Sequence, residues 1–233
     1  MNWPPFFQKI LGKGTERQEA ETAEQKESSL FPQFFTESPL TNPEDEGHFI
    51  YSIGHSNRSQ EEFLHLIKVY GIRILIDVRR FSSSRAYPHF NKKHLKAALS
   101  SLGIRYIWMG KELGGYRDKS EALGEKSPNT AWRAGGFRIY ADYMMREKFK
   151  KSAQKIMHLA SKDRVVMMCA EKLYWKCHRQ LIADYLTTQG CRVWHIIEEE
   201  KDSIHELTDI AVVRNGTLIY PQKKDNEPEL PFP

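Results

Sequence analysis

The chain has 233 residues, enough for one sizeable core with terminal extensions, and its three cysteines are too few for a disulfide-rich secreted scaffold. The sequence shows neither a signal-peptide pattern nor an 18-residue apolar run, so we expect a cytoplasmic protein. Residues 1–48 and 198–233 each carry 4 basic and 9 acidic side chains, whereas residues 49–197 carry 27 basic against 12 acidic. Such a basic central region predicts a polyanionic or phosphate-bearing partner.

Composition divides the chain into three parts. Residues 1–47 are rich in Glu, Gln, Ser, Thr and Pro without a sustained period, which predicts a disordered acidic arm. Residues 48–220 alternate apolar runs with amphipathic stretches and are predicted to form a single α/β domain. Residues 221–233 are polar and end in proline, which predicts a second disordered segment, a C-terminal tail.

The first half of the domain predicts three strands and two helices. A strand over Phe49 to Ile53 precedes a capping box at residues 59–62 and a helix that ends at Gly71. Residues 72–78 form a buried strand, residues 92–102 a helix closed by glycine, and residues 104–109 a third strand. A loop rich in glycine and charge follows, up to about residue 136.

The second half continues the alternation. Two helices are predicted over residues 137–146 and 147–162, then a strand over 164–169, a helix over 176–189 and a strand over 192–197. Asn215-Gly216, between apolar runs, indicates a hairpin within residues 211–220. The pattern predicts a Rossmann-like three-layer α/β fold, with a mostly parallel sheet of about five strands and helices on both faces.

In such sheets, ligands bind beyond the carboxyl ends of the strands. Chemically active side chains follow one predicted strand after another, and His195 lies in the fifth, so we expect one pocket at this edge. The motifs are Gly54-His55-Ser56-Asn57, Asp77-Val78-Arg79, Gly110-Lys111-Glu112 and Cys169-Ala170-Glu171.

A cysteine-containing site is the strongest chemical signal. Cys169 ends a buried strand, and Cys177 and His178 open a helix, where backbone N–H groups and the helix dipole stabilise thiolates. Either cysteine could act as a nucleophile, with Glu171, His178 or His55 handling protons. A buried packing role remains an alternative for both cysteines.

Other residues are candidates for binding or charge stabilisation. Asp77 closes an apolar strand and is either catalytic or paired with Arg79. Guanidinium groups suit phosphate oxygens. The predicted phosphate ligands are Ser56, Arg79, Arg85 and Arg179, and an extruded base could stack on Trp108, Tyr116 or Trp175.

No cofactor is predicted, although a zinc site formed by Cys169, Cys177, His178 and His55 is a minor alternative. The spacing of the two cysteines fits none of the usual short zinc knuckles.

Taken in order, the segments 51–56, 77–79, 84–85, 113–115, 169–171 and 177–179 resemble the family called domain of unknown function 488. The resemblance covers about Phe49 to Ile197 and implies the α/β fold and a site at these motifs. The family is generally described as uncharacterised, so the resemblance implies no particular reaction. One departure is Arg80-Phe81-Ser82-Ser83, where the family often carries a proline before Ser-Arg.

Cys177-His178-Arg179 is also similar to the tripeptide that holds the acceptor thiol in DNA alkyltransferases that repair O6-alkylguanine, with Lys176 in place of their proline. We therefore expect a thiol-dependent transferase or hydrolase acting on nucleic acid or a nucleotide, for example in base repair or processing. The alternatives are a non-catalytic module that binds nucleic acid or nucleotides and a zinc-stabilised domain. The sequence does not indicate an oligomeric state.

Overall fold

A six-stranded sheet forms the centre of the fold in the computed structural model, which describes residues 49–133 and 135–222. Its strand order is β3-β2-β4-β1-β5-β6, with the first five strands parallel and β6 antiparallel to β5. The predicted arm, and residues 223–233 of the predicted tail, lie outside the described residues. The strands are β1 (Phe49–Gly54), β2 (Ile74–Asp77), β3 (Arg105–Trp108), β4 (Val165–Cys169), β5 (Arg192–Glu198) and β6 (Lys201–Ile204).

Helices connect the parallel strands, as crossovers between parallel strands require. The first begins at the predicted capping box, in which the Ser59 and Glu62 side chains each accept a backbone hydrogen bond from the other residue. None of the described helices is long and apolar enough to cross a membrane. The helices are α1 (Gln60–Val69), α2 (Lys92–Ser100), the short α3 (Gly110–Leu113), α4 (Gly135–Met144), α5 (Glu147–Ala160) and α6 (Arg179–Thr188).

The side-chain alternation of the strands divides the core between the two faces of the sheet. Ile50 pairs in register with Val165, which pairs with Ile74, and these residues belong to the core cluster that α4, α5 and α6 cover. The next residues along the strands point to the other face, where Tyr70, after α1, packs edge-on against Tyr51. The predicted mostly parallel α/β sheet with Rossmann-like layering is thus confirmed.

Two details differ from the predictions. The sequence predicted five strands, and the sheet has a sixth, β6, because the polar segment Lys201–Ile204 pairs as an edge strand although it has no apolar alternation. The helix predicted over residues 176–189 begins only at Arg179. Residues Tyr174–Lys176 form a 3₁₀ turn and Cys177 is extended, so the second cysteine precedes the helix.

A C-terminal hairpin lies next to the main sheet, and the buried carboxylate of Asp184 holds the segments on both sides of the hairpin. Strands β7 (Val212–Arg214) and β8 (Thr217–Ile219) join at Asn215-Gly216, where both residues have positive φ, as the predicted tight turn requires. Asp184, fully buried in α6, accepts hydrogen bonds from the backbone and hydroxyl of Thr208, from His205 Nε2 and from the Tyr220 hydroxyl. This carboxylate therefore holds the C-terminal segment against the sheet.

We expect Asp184→Asn to lower the free energy of unfolding by about 2–4 kcal/mol, because the amide leaves buried donors without an acceptor. Tyr220→Phe is the matched control, since it removes one hydrogen bond and should cost about 1 kcal/mol. Urea unfolding measures both variants. If the two variants lowered the free energy of unfolding equally, Asp184 would not be the residue that holds this segment.

Candidate functional site

Two adjoining cavities lie at the carboxyl edge of the parallel strands, where the sequence predicted one pocket. The first has a volume of about 430 Å³ and is lined by both cysteines of the motifs, His178 and several aromatic rings. The second, of about 540 Å³, is lined by His55, Ser56 and mostly polar side chains. The residues that line both cavities are Arg79, Phe81, Ala170 and Glu171. We call them the thiol cavity and the polar cavity.

Strand alternation explains why the predicted site is divided. Cys169 lies on the same face as Val165 and Met167, the face covered by α4 to α6. Asp77 pairs in register with Met168 and therefore points to the other face, and His55 follows Ile53 on that face as well. The strand ends thus bring the predicted residues to one edge but place them in two groups on opposite sides of the sheet.

The thiol cavity holds a pair of sulfur atoms. Cys169 Sγ lies 3.0 Å from Cys177 Sγ, and the two residues are only 3 % and 8 % exposed. Burial raises the pKa of the Cys169 thiol well above its usual value, so Cys169 remains protonated. The pKa of Cys177 is lowered to about 6, because the Cys169 thiol donates a hydrogen bond to its sulfur and because Arg179 is nearby. At neutral pH Cys177 is therefore a thiolate next to a neutral thiol.

His178 is oriented as a proton acceptor for Cys177. Its Nε2 lies 3.2 Å from the backbone carbonyl oxygen of Val78, which can only accept, so Nε2 carries the proton. Its Nδ1 therefore presents a lone pair, 3.3 Å from Cys177 Sγ. Burial lowers the pKa of His178, which keeps the ring neutral. The geometry thus places the Cys177 thiolate beside a neutral imidazole whose Nδ1 is free to accept a proton, an arrangement that suits nucleophilic catalysis.

Arg179 lies behind the sulfur pair and is 1 % exposed. Its Nε donates to Cys169 Sγ at 2.9 Å and its Nη1 to Ser52 Oγ at 2.9 Å, while Nη2 donates to the backbone carbonyls of Glu171 and Lys172. All these donors are satisfied inside the protein. Arg179 thus stabilises the sulfur pair, and its contact with a substrate phosphate remains only a prediction.

The polar cavity is supported by a second buried arginine. Asp77, fully buried, accepts from Arg79 Nε at 2.9 Å and Nη2 at 2.6 Å, and also from the Tyr106 hydroxyl at 2.7 Å. Arg79 Nη1 lies 3.2 Å from His55 Nε2, and His55 Nδ1 donates to the carbonyl of Ser56. Burial and the Arg79 cation lower the pKa of His55 to about 4. Asp77 therefore positions Arg79, and the structure realises the pairing that the sequence left as an alternative to catalysis.

The remaining candidates are divided between the cleft and the rest of the surface. Glu171 is exposed and lines both cavities, Ser56 lines the polar cavity with a φ of 52°, and Tyr116 lines the thiol cavity. Arg85 is exposed and lines neither cavity. The indole of Trp108 donates to the Arg79 carbonyl at 3.0 Å, and Trp175 lies against Tyr174, so neither indole lines the cleft.

The expectation that His195 belongs to the pocket is wrong. Its ring stacks on Tyr174 at 3.4 Å, and its Nε2 lies 3.0 Å from Nδ1 of His205, whose Nε2 contacts Asp184. His195 lies in the middle of β5, three positions before the strand ends, so it contributes to the core and lines neither cavity.

Two glycines shape the cleft, although neither is a strong signal in the sequence. A Cβ at Gly115 would lie 2.5 Å from His178 Nδ1, and one at Gly54 would lie 1.8 Å from the carbonyl oxygen of Glu171. Because Gly115 has no side chain, the His178 imidazole can pack against its backbone. Because Gly54 has none, the loop after β4 can pack against the end of β1. The pair Gly114-Gly115 was visible in the sequence, but the contact with His178 depends on two loops that meet only in the fold. Arg80, which the sequence already offered as a phosphate ligand, lines the thiol cavity, and the structure adds Phe81, Phe137, Tyr140 and Lys176 to this lining.

In the part of the chain that the structure describes, no group of three or more His, Cys, Asp or Glu side chains is arranged to hold a metal ion. His55 is engaged by Arg79 on the other side of the sheet from the cysteines. The four residues considered for zinc therefore do not converge, and the Arg179 guanidinium occupies the space beside Cys169.

The family model described as domain of unknown function DUF488 matches residues 59–186, which is more than half of the chain. Searches of the curated proteins and of the solved structures found no match.

The low pKa of Cys177 predicts a pH profile for its reactivity. We expect the rate of iodoacetamide alkylation at Cys177 to rise with pH and to reach half its maximum near pH 6, because only the thiolate reacts. Peptide mass spectrometry after timed quenching measures each cysteine separately. Cys191, whose pKa is raised by burial, is the internal control and should react only at much higher pH. Identical profiles for Cys177 and Cys191 would contradict the assignment of the thiolate.

A methyl group at Gly115 should disturb His178, because its Cβ would overlap the imidazole. We expect Gly115→Ala to lower the free energy of unfolding by about 1–3 kcal/mol, as overpacking typically does. Gly136→Ala is the matched control: Gly136 lines the same cavity within α4, but its Cβ would meet nothing within 4 Å. That variant should be neutral or stabilising, by up to about 1 kcal/mol. Urea unfolding that ranks the two variants in the opposite order would contradict this contact.

Proposed function

The chain belongs to the family of the domain of unknown function DUF488, and we propose that it is an enzyme acting on nucleic acid or a nucleotide through Cys177. One observation carries the proposal: Cys177, with its pKa lowered to about 6, opens into a cavity at the carboxyl edge of the sheet beside the free lone pair of His178. A cysteine that only packs the core has no need of a lowered pKa, a proton acceptor and access to a cavity.

The chemistry that we propose is group transfer to sulfur. The Cys177 sulfur forms a bond to an electrophilic carbon of the substrate, and the leaving group departs with the electron pair of the broken bond. Cys177 reacts as the thiolate, and the leaving group takes up a proton from water in the cavity, which the neutral His178 can relay through Nδ1. Cys169 supports the step by donating a hydrogen bond to the attacking sulfur.

The phosphate-bearing nature of the substrate is supported by charge. Residues 49–197 carry 27 basic and 12 acidic side chains, and a basic surface holds a phosphate backbone without sequence preference. The guanidinium donors of Arg79 and Arg179 are engaged internally, so we assign phosphate contacts to Lys172 and Lys176, which line the two cavities. Lys172 pairs with Glu198 at a half-exposed position, and such a pair is weak enough to exchange for a phosphate.

The lining of the thiol cavity suits a planar base. Phe81 and Tyr116 are 67 % and 66 % exposed, and their ring centroids lie 6.1 Å apart at the mouth of the cavity. Rings this exposed contribute little to the core, and aromatic faces stack on bases of any sequence. The polar cavity beside them, with the hydroxyls of Ser83 and Ser84, would take the sugar and phosphate.

We expect a short single-stranded oligonucleotide to protect Cys177 from iodoacetamide in low salt and to lose this effect as salt rises. Bound phosphates release counterions, so affinity should fall by orders of magnitude between about 50 and 500 mM salt. Alkylation of Cys177 at pH 7 measures the protection, and the slow alkylation of Cys191, measured in parallel at higher pH, should be the same with and without the oligonucleotide. Protection that does not change with salt, or no protection at any salt, would exclude nucleic acid as the substrate.

The non-catalytic alternative is distinguished by Cys177→Ser. In an enzyme this variant still binds the oligonucleotide but loses group transfer by several orders of magnitude in rate, as removal of a nucleophile typically causes. Intact-mass analysis of the wild-type chain, incubated with oligonucleotides that carry alkylated bases, searches for the covalent adduct on Cys177. A chain that binds oligonucleotide, forms no adduct and is unaffected by Cys177→Ser would be a binding module.

A further inference from the structure

The sulfur atoms of Cys169 and Cys177 are 3.0 Å apart, and both residues line the thiol cavity. We propose that this pair is an oxidation site for small hydroperoxides, at which the two cysteines form a reversible disulfide. The inference goes beyond the proposed function and holds whichever substrate the cleft takes.

The geometry requires little movement. A disulfide bond is about 2.05 Å long, so the sulfur atoms need to approach by only about 1 Å. Cys177 lies in an extended segment between the 3₁₀ turn Tyr174–Lys176 and the start of α6, and its backbone is outside regular secondary structure. Such a segment can shift by this amount without breaking a strand or a helix. Cys169, at the end of β4, is the fixed partner.

The two cysteines have the different protonation states that the chemistry requires. Cys177 is the thiolate, so its sulfur attacks one peroxide oxygen: an S–O bond forms, the O–O bond breaks, and hydroxide leaves. The Cys169 sulfur then attacks the Cys177 sulfur, the S–S bond forms, the S–O bond breaks, and the Cys169 proton leaves with that oxygen as water. The hydroxide takes up the proton that the Cys177 thiol released earlier. Two thiols and hydrogen peroxide thus give one disulfide and two water molecules.

Arg179 makes the oxidation reversible. Its buried guanidinium donates to Cys169 Sγ, and it has the neighbouring thiolate as its source of negative charge. The disulfide removes that charge and leaves a buried cation with only neutral acceptors, so the reduced state is favoured. Dithiols that stabilise their reduced form have readily reducible disulfides.

Oxidation would also close the site. The loop between the cysteines, residues 170–176, contributes Ala170 and Glu171 to both cavities, Lys172 to the polar cavity and Lys176 to the thiol cavity. A disulfide at its two ends removes the nucleophile and fixes the loop. The pair therefore couples the oxidation state of the cell to the state of the cleft.

The test is a thiol count on the full chain. After treatment with hydrogen peroxide, free thiols are blocked with N-ethylmaleimide in denaturant, and peptides are mapped by mass spectrometry. We expect N-ethylmaleimide to label Cys191 alone, and the linked peptides that contain Cys169 and Cys177 to be lighter by two hydrogen atoms. When dithiothreitol is added before the label, all three cysteines should be labelled. Three labelled cysteines after peroxide, or irreversible oxidation of Cys177 without a disulfide, would overturn the proposal.

Two variants separate the roles of the cysteines. In Cys169→Ser, peroxide should produce a sulfenic acid at Cys177 that dimedone traps, because the resolving thiol is absent. Cys191→Ser is the matched control and should form the disulfide as the wild-type chain does. Loss of the disulfide in Cys191→Ser would show that Cys191 takes part and would overturn the pairing. Oligonucleotide protection is measured on the reduced chain, so a failure of the proposed function leaves this result unaffected.

Discussion

A buried cation without a carboxylate partner governs the thiol cavity. Arg179 is 1 % exposed, and the partners that the described residues offer it are a sulfur, a hydroxyl and backbone carbonyls. Arginine does not lose its proton in proteins, and a buried charge is costly unless a counter-charge lies nearby. The group here that can become negative next to it is the sulfur pair. The hydrogen bond from Cys169 is the main cause of the low pKa of Cys177, and Arg179 adds to it, so that the thiolate and the buried guanidinium stabilise each other.

Arg79, on the other side of the sheet, is a second buried arginine, and its charge is balanced in a different way. Its charge is balanced by Asp77 through a bidentate pair, so the polar cavity has no need of a thiolate. The neutral His55 and the paired Arg79 make this side suited to binding, because neither has a proton or a charge to exchange near neutral pH. The low-pKa thiol lies on the other side, where the counter-charge of the buried arginine is the sulfur pair. The shared wall of Arg79, Phe81, Ala170 and Glu171 keeps the two halves adjacent.

Local rules predicted the parts of the site, and tertiary contacts determined how they combine. The capping box, the strand ends and the Asn-Gly turn were readable because each depends on residues close in sequence. The division into two groups was also encoded, since Cys169 and Asp77 have opposite positions in the alternation of neighbouring strands, but it requires the register of β2 against β4. No local pattern reports that register. The same holds for Gly115 against His178, and for His195, whose partners are His205, ten residues further along the chain, and Tyr174, in the turn before α6.

The start of α6 shows how the site departs from ordinary helix chemistry. The N-cap position is held by His178, whose side chain makes no capping hydrogen bond, because its two nitrogens are directed at Cys177 and Val78. The backbone N–H of Arg179 instead contributes to lowering the pKa of the Cys177 thiol, after the Cys169 thiol and the Arg179 charge. The negative charge of the thiolate therefore takes the place of a capping side chain at the start of α6, where the positive end of the helix dipole stabilises it. A serine or aspartate cap at position 178 would suit the helix better, but it would leave Cys177 without a proton acceptor. The start of α6 thus lacks a capping side chain at the position where His178 contacts the low-pKa sulfur, and a local departure of this kind is what our proposed function leads us to expect.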